Sequence, residues 1–351
     1  MSKGSKRETN AIVLKQAMIR RLPRRLSGHG EMALPPVPGL LEHYVKVFDQ
    51  CWEGMGRKFN EKEIGEFRSA LKLRLEQAFT TSSTSKVIVT YSTDPPPKTS
   101  ITWKVVAMAA TFADEYQHWT EVRTPPLFGK HADAKAVDVA ATLGTPSEVA
   151  IVDVGAGTGR NTIPLAQLGY QVDAVEPTPA LVKILRETVE KEKLTIKVVE
   201  GDILNPELQL PRPQYNMVFL SEVVASHFRS VEQIRQLFER ASAMLVPGGL
   251  LVFNLFLSDS GYKADDIAKQ LSQVLWCALF SRHDLEVASQ GLPLRREADE
   301  SAADYEKAHL PEGQYPPTGW YEGWCAGQDL FDLPPEKPPM ELRWVVYRKT
   351  S

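Results

Sequence analysis

The sequence predicts an α/β protein built on a doubly wound parallel sheet, with a small α+β appendage ahead of it and an insert before its last strand. Three observations carry that prediction. Between residues 147 and 257, short β-branched runs alternate with helical patterns, which calls for parallel strands joined by crossover helices. One of these runs, Ile151-Val152-Asp153-Val154, opens into the glycine-dense turn Gly155-Ala156-Gly157-Thr158-Gly159. Upstream, from about residue 35 to 110, two helical patterns and two β-branched, aromatic runs form a separate α+β segment.

The chain has 351 residues, ample for two ordinary domains. Apolar residues make up 43% and charged residues 24%, close to globular averages, so bulk disorder is not expected. A net charge of -3 argues against nucleic-acid binding by the whole protein. The first 30 residues depart from this balance. There Glu8 is the one acid, against Lys3, Lys6, Arg7, Lys15, Arg20, Arg21, Arg24 and Arg25. Residues 1–34 are therefore expected to form a basic arm, polar enough to be dispensable for folding. Residues 35–110 form the appendage, and 111–351 the main domain, with its insert at about 258–340. Cys51, Cys277 and Cys325 are far apart and odd in number. They fit neither a disulfide framework nor a metal site, and point to a reducing cytoplasm. No apolar run approaches a membrane span of about 20 residues, and no membrane role is expected.

The appendage begins after Pro35-Pro36-Val37-Pro38-Gly39, a linker-like run. Leu40, Leu41, Tyr44, Val45, Val47 and Phe48 suggest a first buried helix. Asn60 followed by Glu63 is a capping-box pattern, and Ile64, Phe67, Leu71, Leu75 and Phe79 then share one helical face. The runs at 87–91 and 101–106, separated by Asp94-Pro95-Pro96-Pro97, predict a hairpin with a long loop. In the main domain, strands are expected at 149–154, 171–175, 196–199, 217–220 and 250–256. Helices are expected at 161–168, 179–191 and 231–245, with a turn at Pro247-Gly248-Gly249 leading into the fifth strand. Beyond it, 263–280 reads as one long helix, 309–339 as a loop rich in proline and aromatics, and 341–348 as a last strand.

The glycine turn carries the chemistry. Glycine lets a backbone approach a ligand closely, and the amides at the following helix start face that ligand. The spacing is G-x-G-x-G, because Arg160 stands where a dinucleotide fingerprint would have its third glycine. Glu176 ends the second strand, 21 residues after Gly155, where a carboxylate can accept both ribose hydroxyls of an adenosine. Gly201-Asp202-Ile203 follows the third strand, suited to an adenine amino group and ring face. Ser221-Glu222 follows the fourth. All these positions lie at carboxyl ends of adjacent strands, where open α/β sheets bind ligands.

With these residues in place, the sequence resembles the class I S-adenosylmethionine-dependent methyltransferases over about residues 110–257. Asp153-Val154-Gly155-Ala156-Gly157-Thr158-Gly159 is similar to their first motif, Glu176 to their ribose acid, Gly201-Asp202-Ile203 to their adenine motif. Leu245-Val246-Pro247-Gly248-Gly249 is similar to their turn before strand five. Gly159-Arg160-Asn161, Pro164-Leu165-Ala166 and Gly169-Tyr170-Gln171-Val172-Asp173-Ala174 look most like the tellurite-resistance type of small-molecule methyltransferase. Phe112-Ala113-Asp114-Glu115-Tyr116-Gln117-His118-Trp119 resembles the aromatic helix that closes over the cofactor in many relatives.

The resemblance implies a Rossmann-like methyltransferase sheet and S-adenosylmethionine as cofactor. It assigns Asp153, Gly155, Ala156, Gly157, Gly159, Glu176, Asp202, Ile203, Ser221, Tyr116 and Trp119 to cofactor binding. Glu222 and His227 fall where relatives place acceptor-side residues, and are the candidate catalytic pair. No metal site is expected. The expected reaction is methyl transfer to an oxygen or nitrogen of a small molecule. The alternatives are a protein side chain gripped by the appendage, or a cofactor-binding regulatory protein without turnover. The sequence lacks an Asn/Asp-Pro-Pro-Tyr/Phe tetrad after strand four, which disfavours base and glutamine nitrogens. Tyr315, Trp320, Tyr321, Trp324 and Phe331 suggest that the insert forms a lid over the acceptor.

Overall fold

The computed structural model describes residues 7–95, 98, 100–333 and 337–351. Lys3 and Lys6 of the basic arm, Pro96 and Pro97 of the hairpin loop, and 334–336 of the insert lie outside the described residues. The chain divides into two compact units between Thr111 and Phe112.

The first unit contains α1 (Ala11–Ile19), β1 (His29–Leu34), α2 (Leu41–Gly54), α3 (Glu61–Thr81), β2 (Lys86–Thr93) and β3 (Ile101–Met108). The three strands form an antiparallel sheet in the order β1-β2-β3. Phe48 and Trp52 of α2 and Phe67, Leu71 and Leu75 of α3 cluster with Val87 and Val89 of β2, all buried. The capping box is formed: Asn60 Oδ1 accepts from the Glu63 amide at 3.0 Å, and Glu63 Oε2 accepts from the Asn60 amide at 2.8 Å.

One boundary is corrected. The basic arm does not run free to residue 34, because His29–Leu34 pairs along its whole length with β2. Buried Arg57 also donates to the carbonyls of Leu26 and Asp94, at 3.1 and 3.2 Å. His-Gly-Glu-Met-Ala-Leu buries only its last side chain, so no apolar alternation announces the strand. Residues 11–19 keep their side chains uncovered within this unit, with Ile12 and Met18 both 73% exposed.

The second unit contains α4 (Phe112–Val122), α5 (Ala134–Ala141), β4 (Ala150–Val154), α6 (Thr162–Gln167), β5 (Gln171–Glu176), α7 (Pro179–Lys191), β6 (Lys197–Glu200), β7 (Tyr215–Leu220), α8 (Val223–His227), α9 (Val231–Met244), β8 (Leu245–Ser258), α10 (Asp266–Val274), β9 (Leu279–Phe280), α11 (Arg282–Ser289), β10 (Leu294–Ser301), α12 (Ala302–His309), α13 (Tyr321–Cys325) and β11 (Met340–Lys349). The sheet order is β10-β11-β8-β7-β4-β5-β6, with β9 against β8. Strands β6, β5, β4, β7 and β8 are parallel; β11 alone is reversed, pairing antiparallel with β8 on one side and with β10 on the other, so β10 runs in the same direction as β8. The chain winds outward from β4 through β5 to β6, then crosses back to β7. The switch point therefore lies between β4 and β7, the position at which open α/β sheets bind ligands.

Both faces of the sheet are covered. On β7, Val218 and Leu220 join one core cluster while Met217 and Phe219 join the other; on β8, Leu251 and Phe253 alternate with Leu250 and Val252. Burial on both faces explains why these strands read as unbroken apolar runs.

The predicted helix at 263–280 is also corrected. Only α10 is helical, capped by Asp265, whose carboxylate accepts from the Ala268 amide at 2.8 Å. Trp276 adopts a left-handed backbone (φ 59°), and Leu279–Phe280 becomes β9. The cause is a length mismatch. Strand β7 pairs with β8 as far as Leu220↔Phe253, and β9 takes up the uncovered Phe256–Leu257 segment of β8. Within the insert, the run 309–339 expected to be all loop contains α13, and α12 ends where that run begins.

Candidate active site

The turn after β4 is stitched to β5. The amides of Gly155 and Ala156 both donate to the Val175 carbonyl, at 2.8 and 3.1 Å. Gly155 has φ 72°, and a Cβ there would lie 2.2 Å from a methyl of Val223 in α8. Glycine is thus required both by conformation and by the close approach of β7's following helix. Glu176, 4% exposed, closes the turn. Its Oε2 accepts from the Gly157 amide and its Oε1 from the Thr178 amide, both at 2.9 Å. Burial pushes its carboxyl up, and these donors oppose the shift. The Thr178 side chain bonds the same carboxylate, so three of its four lone pairs are engaged and one is left for a ligand over the turn.

Other predicted residues occupy supporting positions. Asp153 is buried and accepts from the Thr162 hydroxyl at 2.5 Å, with burial pushing its carboxyl up to about 6. Gly159 lies between Leu185 and Ile163. Asp202 is exposed and accepts from the Leu204 amide at 2.9 Å, while Ile203 belongs to the core beneath the sheet end.

A buried ionic bridge joins this turn to the end of β7. Arg160 donates to Asp133 Oδ1 at 2.7 Å and to Glu222 Oε1 at 2.6 Å, with Ser221 Oγ at 3.2 Å. The side chains of Arg160 and Asp133 are 7% and 1% exposed. Asn161 locks Asp133 by accepting from its amide and donating to Oδ2, at 2.8 and 2.9 Å. Glu222 sits in a left-handed conformation (φ 63°), fixed by its amide donating to Asn254 Oδ1 at 2.6 Å. Such a backbone costs about 1–3 kcal/mol outside glycine, so the surroundings hold Glu222 in place. Burial pushes its carboxyl up and Arg160 opposes. Sequence reasoning missed Arg160 and Asp133. A usable signal existed, because a cation at a helix start opposes the helix dipole and needs a local acid.

The third component is an aromatic wall. Tyr116 Oη lies 3.0 Å from His227 Nε2, and their rings are 5.7 Å apart. Phe112 packs edge-on to His227 at 4.4 Å. Trp119 stacks on Trp276 at 5.5 Å, and Trp276 also meets Tyr116, Phe112 and His227. Phe128 meets Tyr116 at 5.7 Å, and its ring would lie 3.3 Å from a Cβ on Gly157. His227 Nδ1 is shut off from solvent with no partner among the described residues. Burial lowers this imidazole to about 4, so it is neutral near pH 7.

The structure therefore brings Tyr116, Trp119, Glu222 and His227 to one strand end, and the lid expectation is corrected for Tyr321 and Trp324, which are core, while Trp320 is 40% exposed. Tyr321 and Trp324 are 1% and 5% exposed, with Trp324 packed edge-on to Phe256 of β8. The Trp324 indole donates to the Trp276 carbonyl at 3.1 Å, so it supports the wall from behind. The insert's contribution to the wall comes from half-buried Trp276, which the misread helix had hidden.

With this geometry in view, comparison with known proteins identifies the domain that holds the turn. A family profile described as a methyltransferase domain matches residues 151–249, from β4 into β8. The chain carries a class I S-adenosylmethionine-dependent methyltransferase domain. Around that domain, the chain is 26% identical over 152 residues to an uncharacterised methyltransferase of Oceanobacillus iheyensis, covering 42% of this chain and 67% of that one. It is 30% identical over 111 residues to a demethylmenaquinone methyltransferase of Tropheryma whipplei, covering 31% of this chain and 43% of the relative. A solved Haemonchus contortus phosphoethanolamine N-methyltransferase 2 shares the fold, with 15% identity, TM-score 0.50 and coverage of 72% and 64%. The methyltransferase domain thus accounts for the switch-point turn, while the first unit and the insert fall outside the profile match. No helix among the described residues is long and apolar enough to cross a membrane.

Proposed function

We propose that the chain transfers the methyl group of S-adenosylmethionine to an oxygen or nitrogen of a small molecule, in a cytoplasmic setting that suits its three unpaired cysteines. The single observation that supports this reading most is Glu176. It is a buried carboxylate tied across a glycine turn, with acceptor capacity left beyond its Gly157 and Thr178 donors, suited to a ribose hydroxyl. Gly157 leaves open the space that a side chain would fill against Phe128. The residues thus fit an adenosyl cofactor.

When bound, that cofactor supplies an electrophilic methyl group on a sulfonium. The chain's own residues do the rest. Tyr116, Trp119 and Trp276 present aromatic faces, which attract a cation by about 0.5–2 kcal/mol when desolvated and exclude water from the reacting atoms. Glu222 is engaged by Arg160 and serves to fix the end of β7. His227, with its low basicity, is a poor match to a general base working near neutral pH. Its Nε2 is taken by Tyr116 and its Nδ1 is enclosed, so it serves to fix the Tyr116 ring in the wall, and acceleration by positioning is the better reading.

The test is a two-step screen. Calorimetry with S-adenosylhomocysteine and with NAD should show binding of the first alone. Purified protein with methyl-tritiated S-adenosylmethionine should then label small-molecule fractions of a lysate. Label appearing only in protein would favour the side-chain reading, and tight NAD binding without a response to S-adenosylhomocysteine would overturn the proposal.

A further inference from the structure

A cavity of about 440 Å³ lies between the loop that follows α4 and residues 313–320 of the insert. That size falls in the range of small-molecule sites. Arg123, Lys130 and His131 line it, and no carboxylate does. None of the three forms an ion pair among the described residues, although Arg123 stacks over the Trp119 ring at 3.5 Å. The opposite wall contributes Thr318, whose Oγ1 is shut off from solvent and has no partner among the described residues. Pro126, Leu127 and Trp320 give the remaining walls an apolar character.

The cavity shares a wall with the active site. Leu127 and Gly129 line the cavity, while the intervening Phe128 ring turns to Gly157 and Tyr116. Arg123 likewise joins the two, since its stacking partner Trp119 is part of the aromatic wall. Arg123 and Lys130 stand exposed at this hollow with no ion-pair partner among the described residues, so a cleft lined by one sign of charge attracts an anion.

We propose that this cavity is the acceptor subsite and that the acceptor carries a phosphate or carboxylate, held by Arg123, Lys130 and His131, on an apolar body that reaches toward Trp119 and Phe128. The proposal rests on the methyltransferase reading and narrows it to anionic small molecules. A second source of the same chemistry is the carboxylate of the cofactor's methionyl end, and the test separates the two.

The full-length protein is titrated by calorimetry with inorganic pyrophosphate and, separately, with S-adenosylhomocysteine, at fixed ionic strength. The Lys130→Ala/His131→Gln double variant is treated likewise; it leaves Arg123 on Trp119 and keeps the site's fold, as near-ultraviolet circular dichroism verifies. The wild type should bind pyrophosphate saturably, with an affinity that falls as salt rises. The double variant should lose at least about tenfold in that affinity and keep its S-adenosylhomocysteine affinity within about twofold. Absence of saturable pyrophosphate binding, or equal binding by the variant, overturns the proposal. A parallel loss of S-adenosylhomocysteine affinity also overturns it, by assigning the cations to the cofactor. A wild type that binds pyrophosphate but not S-adenosylhomocysteine leaves the cavity assignment standing and rejects the methyltransferase reading instead.

Discussion

The two sides of the switch point are built by different means. On the β4–β5 side, the turn is assembled from one short stretch of chain: the Gly155 amide donates to the Val175 carbonyl, and the Gly157 and Thr178 amides donate to the buried Glu176 carboxylate. On the β7–β8 side, the wall draws on α4, α8 and Trp276, which are joined by ring contacts, the Tyr116–His227 hydrogen bond and one from the Ser226 hydroxyl to the Trp276 carbonyl. Backbone amides tolerate little variation in what they bind, whereas side chains from distant segments can be exchanged one at a time. The first side thus suits a fixed cofactor and the second a changeable acceptor.

Arg160 is the link between the sides, and removing it should produce the largest effect. Arg160→Met leaves Asp133 and Glu222 buried without their cation, which should cost about 3–5 kcal/mol of stability in urea unfolding. Stability within about 1 kcal/mol of wild type would mean that the two sides stand independently.

The second test uses pH to probe the wall alone. His227 is lowered to about 4 from an ordinary 6.5, so between those values the unfolded chain binds the extra proton. Its contribution is intact above pH 6.5 and is lost as pH falls toward 4, by about 3 kcal/mol at most. Asp153, pushed up to about 6, works in the opposite sense over part of the same range. The measurement is therefore the difference between wild type and His227→Gln, with the variant expected to lose less stability on acidification. Identical slopes would show that the imidazole is solvated.

Ligand binding should divide the sides a third way. Glu176→Ala should weaken S-adenosylhomocysteine by about tenfold or more, through loss of charge-assisted hydrogen bonds worth about 1.5–3 kcal/mol each. Trp276→Ala should leave that affinity within about threefold while lowering methyl transfer. A reversed pattern would exchange the roles assigned to the two sides.

The smallest effect should come from neither side. Deleting residues 1–20 removes α1, whose side chains are uncovered within its unit, and should move stability by no more than about 0.5 kcal/mol. Extending the deletion through residue 34 removes β1 and should lower the melting temperature clearly. Equal behaviour of the two truncations would return β1 to the arm.

The same contrast explains what was legible in the sequence. Strands β4, β5, β7 and β11, helices α7 and α9, and the Asn60 capping box all follow from local apolar periods and caps. The glycine turn and Glu176 were legible because that half of the site is contiguous. Trp276 was not, since Val274-Leu275-Trp276-Cys277-Ala278-Leu279-Phe280 continues an apolar run that periodicity alone cannot split between helix and strand. The break depends on β8 outrunning β7, a tertiary fact. Asp133 was hidden for a similar reason: its partner Arg160 lies 27 residues away and meets it only after the sheet forms. Strand β10 escaped notice because Leu-Arg-Arg-Glu-Ala-Asp-Glu-Ser has neither the β-branched content nor the alternation of a strand.

That unpromising composition has a consequence for how the molecule behaves in company. An open sheet offers two borders of unpaired amides and carbonyls to which a second chain can add its own strand. Here one border, β6, is four residues long. The other, β10, is kinked by an irregularity between Arg296 and Ala298 and lined with charges. Those charges are engaged: Glu297 is bound by Arg295 and Arg348, at 2.9 and 2.8 Å, and Asp299 by Arg282 at 2.6 Å and by Arg343. A stranger's strand docking on β10 would have to break or bury these pairs, whereas water leaves them intact. The least strand-like segment of the sheet is thereby its guard against strand-to-strand clumping in a crowded solution.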